Sequence, residues 1–266
     1  MYMIRIAFCL ICLNILLLSC KKRGCTDINA ENYDADATHN DGSCLYDSDD
    51  SIKINIIPTF NDLELALDSV YNTTEGYKVK FTTLSFYVSR LAHQNDTINS
   101  SSLYDFRDNG NHLLAAELDY NSFPSLQGLI GVDSINNHSD PSAFDNDNDL
   151  NIENAGTMHW GWSTGYIFIK IEGKVDTLSN GIFNHNFSFH AGTDAFLKQL
   201  SFDNIVWVQT SENIHTFTLS LSMSDFLSSD ANTIDLKDEF ITHSSSGQLA
   251  LTEKVVDNFV NALSPQ

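Results

Sequence analysis

The segment of residues 216–223 (TFTLSLSM) constrains the fold most, because apolar and polar side chains alternate along it without a break. The apolar side chains, from Phe217 to Met223, share one face of an extended chain, and threonine and serine occupy the other. This period of two is typical of a strand with one face on a core and the other in water. Less regular segments of strand character are residues 52–60, 78–91, 112–118, 127–132, 165–172, 183–190 and 204–210.

Short strands separated by turn residues predict an all-β fold, an antiparallel β-sandwich over residues 51–266. Helical spacing is clearest in residues 249–263, where apolar side chains such as Phe259 and Leu263 recur between charges, and it predicts a C-terminal amphipathic helix. Residues 61–70 are a second, shorter helix candidate. The length of this part of the chain suits one domain of the all-β class.

The start of the chain has the pattern of a bacterial lipoprotein signal. Arg5 precedes an apolar run that ends in Leu-Leu-Ser-Cys at Cys20, and this run is shorter than the roughly 20 apolar residues that a membrane-spanning helix needs. We expect residues 1–19 to be removed and Cys20 to carry lipid, with an ordinary signal and an inert Cys20 as the alternative. The protein would then be extracytoplasmic and anchored to a bacterial membrane, which we expect to be the outer membrane.

Residues 20–50 form a separate unit that is rich in aspartate and poor in large apolar side chains. Because Cys9 and Cys12 would leave with the signal, Cys25 and Cys44 remain as an even pair outside the cytoplasm and predict one disulfide. Closing such a loop stabilises a small segment by roughly 3 kcal/mol. We interpret the unit as a disulfide-closed spacer, with calcium binding by its aspartates as the alternative.

The charge balance limits the possible partners. The chain carries 14 Lys and Arg against 35 Asp and Glu, a formal net charge of −21, so its surface repels phosphate backbones and attracts cations. A nucleic-acid partner is therefore not expected. No serine, histidine and aspartate can be combined into a triad from the sequence, and no free thiol is left after the disulfide is formed, so we predict that it is not an enzyme.

Three histidines are candidate metal ligands. His138 lies in an Asn-His-x-Asp-Pro turn, where Pro141 restrains the preceding residue, and His190 lies at the polar end of a predicted strand next to Gly192. His159 stands in a Met-His-Trp segment. Imidazoles without thiolates suit copper, zinc or nickel, and the Irving–Williams order favours copper.

The segment that follows His138 offers further candidates. Asp145, Asp147 and Asp149 alternate as in calcium loops, but the glycine and terminal glutamate of an EF-hand are absent, so a solvated acidic loop is the alternative to a calcium site. Trp160 and Trp162 share one face of an extended segment. Aromatic side chains at a strand entrance are usually core anchors, and a position beside a metal is the alternative.

Taken together, these motifs resemble the MbnP family of secreted copper-binding proteins, which is related to MopE and CorA of methane-oxidising bacteria. The matching pattern is Gly-Val, Asn-His-x-Asp-Pro, Leu-Asn, Met-x-Trp-x-Trp-x-x-Gly-Tyr-x-Phe and Phe-x-Phe-His-x-Gly. In this sequence the pattern occupies residues 131–132, 137–141, 150–151, 158–168 and 187–192, with a similar strand at residues 84–89.

The resemblance implies a secreted β-sandwich that binds copper through His138 and His190. It also implies a tryptophan two residues before the first histidine, oxidised to kynurenine by a di-haem, peroxidase-like partner protein, but this position holds Asn136. Trp160 or Trp162 are then the candidates for an oxidised or metal-adjacent tryptophan. We expect copper capture or handling rather than catalysis, and the alternative is a surface interaction module with calcium-stabilised acidic loops and no copper role.

Overall fold

A computed structural model of the protein describes residues 22–28, 30–44, 50–161, 164–229 and 232–266. The expected signal over residues 1–19, the lipidation candidate Cys20 and Trp162 lie outside the described residues. The strands are β1 Arg23–Gly24, β2 His39–Asn40, β3 Ser51–Phe60, β4 Leu63–Glu64, β5 Tyr71–Asn72, β6 Lys78–His93, β7 Asp96–Asp105, β8 His112–Ala116, β9 Leu126–Ile130, β10 His159–Gly161, β11 Gly165–Asp176, β12 His185–Gly192, β13 Lys198–Phe202, β14 Val208–Ser211, β15 Ile214–Ser222, β16 Ile241–Thr242 and β17 Leu263–Pro265.

Helices are few and mostly one turn long. The α-helices are α1 Phe106–Asn109, α2 Ser134–Asn137, α3 Ile152–Ala155, α4 Met223–Leu227 and α5 Leu249–Asn261, and the 3₁₀ turns are Tyr120–Ser122, Pro141–Ala143, Gly156–Met158 and Asp194–Phe196. The predicted C-terminal helix is confirmed as α5. Among the described residues, every helix is too short or too polar to cross a membrane.

Two large sheets carry most of the strands, so the predicted all-β sandwich is confirmed. The first has the order β13-β9-β6-β11-β12-β16, with β5 and β7 on β6 and β10 on β11, and the second has the order β14-β15-β3-β4, with β8 on β3 and β17 on β15. Most pairs are antiparallel, but β15 runs parallel to β3 and β16 runs parallel to β12. A parallel pair needs a long crossover connection, and these partners are indeed far apart in the chain.

The observed elements differ from the predicted ones mainly at a helix candidate, at one shortened strand and at β7, which was not predicted. The helix predicted for residues 61–70 is wrong, because Asn61 and Asp62 have positive φ of 50° and 63° and turn the chain sharply into the short strand β4. The strand predicted for residues 204–210 is reduced to β14, whose residues are all exposed. The strand that the alternation of residues 216–223 predicts is β15, which begins two residues earlier than the pattern and ends one residue earlier.

The core between the sheets is aromatic, and α5 helps to close it. Phe259 of α5 packs on Phe86 of β6, with ring centroids 4.8 Å apart, and lies 6.4 Å from the ring of Phe226 in α4. All three side chains are fully buried. The apolar face of the C-terminal helix is therefore part of the sandwich core.

A second, smaller core lies under the long connection between β9 and β11 and supports the candidate site. The hydroxyl of Tyr166 donates to the carbonyl of Leu150, and the hydroxyl of Tyr87 donates to the carbonyl of Asp149 at 3.1 Å. These bonds tie the connection to the first sheet. The buried members of this loop core are Tyr87, Leu103, Val132, Leu150, Ala155, Met158, Tyr166, Ile167 and Phe168.

The described part of the N-terminal unit is closed by the predicted disulfide between Cys25 and Cys44. It packs against the sandwich. His39 Nε2 donates to Asn109 Oδ1 at 2.8 Å, and Lys53 Nζ donates to the carbonyl of Gly42 at 2.9 Å. The unit thus makes polar contacts with α1 and β3.

Candidate metal centre

His138 caps the C-terminus of the one-turn helix α2, and Asn137 holds that turn against the sheet. The Asn137 side chain is buried; its amide nitrogen donates to Asp194 Oδ1 at 2.9 Å, and its Oδ1 accepts from the backbone N–H of Tyr166, also at 2.9 Å. Gly165 leaves room for this contact, because a Cβ at Gly165 would lie 2.3 Å from Asn137 Oδ1. The local turn therefore depends on β11 for its position.

The ring of His138 is oriented by a carboxylate from the segment after β12. His138 Nε2 donates to Asp194 Oδ2 at 3.1 Å, and Ser134 Oγ donates to the same oxygen. Burial acts to raise the pKa of Asp194, but hydrogen bonds from Ser134, Asn137 and His138 outweigh it and hold the pKa below its ordinary value. In its neutral form His138 then carries its proton on Nε2, and the Nδ1 lone pair is left for another partner.

The same arrangement recurs at His190, on β12. His190 pairs with Lys170 of β11, and its Nε2 donates to Glu172 Oε1, on the same strand as Lys170, at 2.8 Å. The hydrogen bond from His190 lowers the pKa of Glu172 to about 2, although burial opposes the shift. Glu172 therefore fixes the tautomer of His190 with the proton on Nε2, as Asp194 does for His138.

Ser188 also contacts His190, but Ser188, His190 and Glu172 are not arranged as a catalytic triad. Ser188 Oγ lies 3.1 Å from His190 Nε2, the same nitrogen that donates to Glu172. A Ser-His-carboxylate triad uses the two opposite ring nitrogens, one for the serine and one for the carboxylate. This geometry suits an oriented imidazole ligand better than a general base.

Sequence reasoning missed His243, which lies beside His190. The parallel pairing of β16 with β12 sets Ser188 opposite Ile241 and Phe189 opposite Thr242. The rings of His190 and His243 consequently stack, with centroids 4.7 Å apart and planes 22° from parallel. No local pattern could have indicated this neighbour, because it depends on which strands pair.

His159, the third candidate ligand, and Trp160 have different surroundings from those of His138 and His190. His159 is edge-on to the ring of Tyr166 at 4.8 Å, and burial lowers its pKa. The indole of Trp160 covers Gly192, where a Cβ would come within 2.5 Å of the ring. Trp160 therefore packs between the end of β12 and the loop core, as the core-anchor interpretation expects.

His190 lies on β12, and His138 bonds to Asp194 in the turn that follows β12, so the two histidines have different carboxylate partners. Within the described ranges, neither Nδ1 makes a hydrogen bond to protein. No group of three or more His, Cys, Asp or Glu side chains among these residues stands ready to hold a metal ion. His138, His159 and His190 thus do not form a closed three-ligand centre.

The acidic loop faces the N-terminal unit across a polar cleft of about 260 Å³. Asp145, Asp147 and Asp149 line it together with His39 and His112. Asp149 Oδ2 accepts from the backbone N–H of Leu103 at 2.8 Å, which shows one structural role for this carboxylate. The calcium role of the loop stays a prediction.

Comparison with known proteins gives one family. The family model of MbnP matches residues 49–246, a range that includes every candidate metal ligand named above. Among solved structures, MbnP from Methylosinus trichosporium is similar at 15% sequence identity, with 66% of this chain and 76% of that chain covered and a TM-score of 0.43. No curated protein matches the chain significantly.

Proposed function

The chain belongs to the MbnP family, and on this premise we propose that it is a lipid-anchored, extracytoplasmic protein that binds copper for capture or handling rather than for catalysis. The ligands in this proposal are His138 and His190. His159 is a further candidate, half-buried beside Tyr166 of the loop core.

One observation carries the proposal: each of the two histidines donates from Nε2 to a carboxylate. Metal-binding histidines very often have such a partner, because it fixes the ring and makes the other nitrogen a better donor. The two pairs use different histidines and different carboxylates, Asp194 and Glu172.

The donor set also fits the metal. Imidazole nitrogens without thiolates are good ligands for copper, which stands highest among divalent first-row ions for such sites. The net charge of −21 favours the approach of any cation. The imidazole nitrogens of this chain would coordinate the copper. The rate of copper release would then depend on how strongly the hydrogen bonds restrain those rings.

Copper uptake by purified, metal-free protein is the direct test. We expect about one copper ion per chain, measured by elemental analysis after gel filtration, and loss of this copper in the double variant His138→Ala with His190→Ala. His93→Ala is the matched control, because His93 lies at the end of β6 and is bonded to Ser125 rather than to a carboxylate. Unchanged uptake in the double variant, or no uptake by the wild type, would contradict the proposal.

The anchor and the tryptophan chemistry need separate measurements. Cys20→Ser should abolish incorporation of labelled fatty acid and move the protein from the membrane to the soluble extracytoplasmic fraction. A di-haem, peroxidase-like partner would convert Trp160 or Trp162 to kynurenine, which peptide mass spectrometry of protein from its native membrane would detect. Unmodified peptides would remove this partner from the proposal.

The alternative, a surface interaction module with calcium-stabilised loops, is favoured by one feature, the cleft that gathers the three loop aspartates against the N-terminal unit. It predicts that calcium raises the melting temperature while copper leaves it unchanged. Asp145→Asn with Asp147→Asn should remove a calcium effect. A response to copper but not to calcium would exclude this alternative.

A further inference from the structure

His190 has an imidazole neighbour that the family pattern does not include. We propose that His243 joins His190 as a ligand of the same copper ion, with Glu172 as the residue that positions His190. This inference rests on the proposed function, and it places the metal at the junction of β12 and β16.

The backbone arrangement brings the two rings together. Because β16 runs parallel to β12 and pairs through Ser188 and Phe189, the residue after β16 stands beside His190. Ser244, the next residue after His243, ties this segment to the end of β12. Its Oγ donates to the carbonyl of His190 at 3.2 Å and accepts from the N–H of Gly192 at 3.0 Å. Gln248 Oε1 accepts from the N–H of His243 at 2.8 Å. The backbone of His243 is therefore held on both sides.

The two side chains have complementary degrees of freedom. His190 is fixed, since Glu172 and Ser188 both contact its Nε2 and its side chain is only 15% exposed. His243 is exposed on the surface, and its Nε2 lies 3.5 Å from Ser188 Oγ. Imidazole lone pairs lie in the ring plane, so the stacked rings share a metal only after His243 turns about its own side-chain bonds, and its exposed position permits this turn. His190 supplies the preorganised donor and His243 the mobile one.

His138, the other ligand in the proposed function, has different surroundings. Its ring belongs to the loop held by Asp194, whereas the rings of His190 and His243 are already in contact. The existing contact between the rings of His190 and His243 is the basis for adding His243 to the ligands His138 and His190.

Four single variants of the full chain test the inference: His243→Ala, His190→Ala, His138→Ala and His185→Ala. His185 is the matched control, because it lies on β12 and stacks on Phe240 at 5.7 Å, away from the polar face of His190. Each protein is titrated with copper(II) against a competing chelator. Electron paramagnetic resonance then counts the coordinated nitrogens from their hyperfine lines.

We expect His243→Ala to weaken copper binding by more than about tenfold, because changing a residue that only supports a ligand already has an effect of about that size. The variant should also lose one coordinated nitrogen, as His190→Ala does. His138→Ala should weaken binding as the proposed function requires, and His185→Ala should match the wild type. His243→Asn, which keeps a polar side chain on the same backbone, should behave as His243→Ala does and thereby separates ligand loss from a change of fold.

Wild-type affinity and an unchanged nitrogen count in both His243 variants, with binding weakened in His190→Ala, would overturn the inference and leave the proposed function standing. No copper uptake by the wild type would overturn both.

Discussion

His138 and His190 make the same kind of hydrogen bond, but the backbone elements that hold them and the exposure of their side chains differ. Each imidazole donates from Nε2 to a carboxylate, at 3.1 Å and 2.8 Å. His138, however, lies at the C-terminus of a one-turn helix and its side chain is 63% exposed, whereas His190 lies within a sheet and its side chain is 15% exposed. The same chemical pair is thus held once by a loop and once by strand register.

This difference predicts how each region tolerates change. His190 and Glu172 are on adjacent strands whose ladder continues on both sides, so no single side chain decides their spacing. The His138 turn depends on a few contacts, chiefly those of Asn137 and Asp194. Single substitutions should therefore disturb the loop-held histidine more than the sheet-held one.

The largest effect should come from Gly165→Ala. Gly165 has φ of +77°, and a Cβ would meet Asn137 Oδ1 at 2.3 Å, so the substitution both strains the backbone and pushes the His138 turn away. We expect the free energy of unfolding to fall by about 3–4 kcal/mol, the sum of left-handed strain and overpacking. Urea denaturation followed by tryptophan fluorescence measures this loss.

Gly76→Ala separates the two causes. Gly76 also has positive φ, at +84°, but nothing lies within 4 Å of its ideal Cβ. It should therefore lose only the strain, about 1–2 kcal/mol. Equal losses at Gly165 and Gly76 would show that the contact with Asn137 does not hold the turn.

A smaller loss should follow from Asn137→Ala. The buried N–H of Tyr166 would lose its acceptor and Asp194 would lose one donor, at a cost of about 2–3 kcal/mol. Asn136→Ala, the adjacent and less buried control, removes one hydrogen bond to Asp133 and should cost about 1 kcal/mol or less. Unfolding of both variants at the same urea concentration would show that the hydrogen bonds of Asn137 do not hold the His138 turn.

Strong local patterns predicted the fold well where each strand has one wet face. The alternation in residues 216–223 identified β15, and the helical spacing near the end identified α5. The strand β7 (DTINSSSLYD) was missed, because buried serines at Ser101 and Ser102 stand beside Leu103 and Tyr104 and no alternation remains. A strand covered on both faces by polar and apolar neighbours does not show a period of two.

For the candidate site, sequence reasoning supplied residues but not their neighbours. The polar face of β12 singled out His190, and the turn motif singled out His138. Their partners Glu172, Asp194 and His243 come from other segments, and the contacts depend on strand register and on the parallel pairing of β16. Periodicity reports which face a side chain occupies, and pairing between distant strands is decided by the whole fold.

The smallest effect expected is on the sheet-held pair itself, in Glu172→Gln. The pKa of Glu172 is lowered from its ordinary value of 4.5 to about 2, so the carboxylate stabilises the fold above pH 4.5 and this contribution is lost as the pH falls through about 2. Glutamine keeps an acceptor for His190 but loses the charge. In metal-free protein we expect a loss of about 1–2 kcal/mol at pH 7 that shrinks steadily between about pH 5 and pH 2. Urea denaturation across this range measures it, with Glu253→Gln on the exposed side of α5 as the control for charge removal. A difference between wild type and Glu172→Gln that stays constant down to pH 2 would mean that His190 does not depend on the Glu172 carboxylate, and the likeness between the two histidines would then be one of geometry alone.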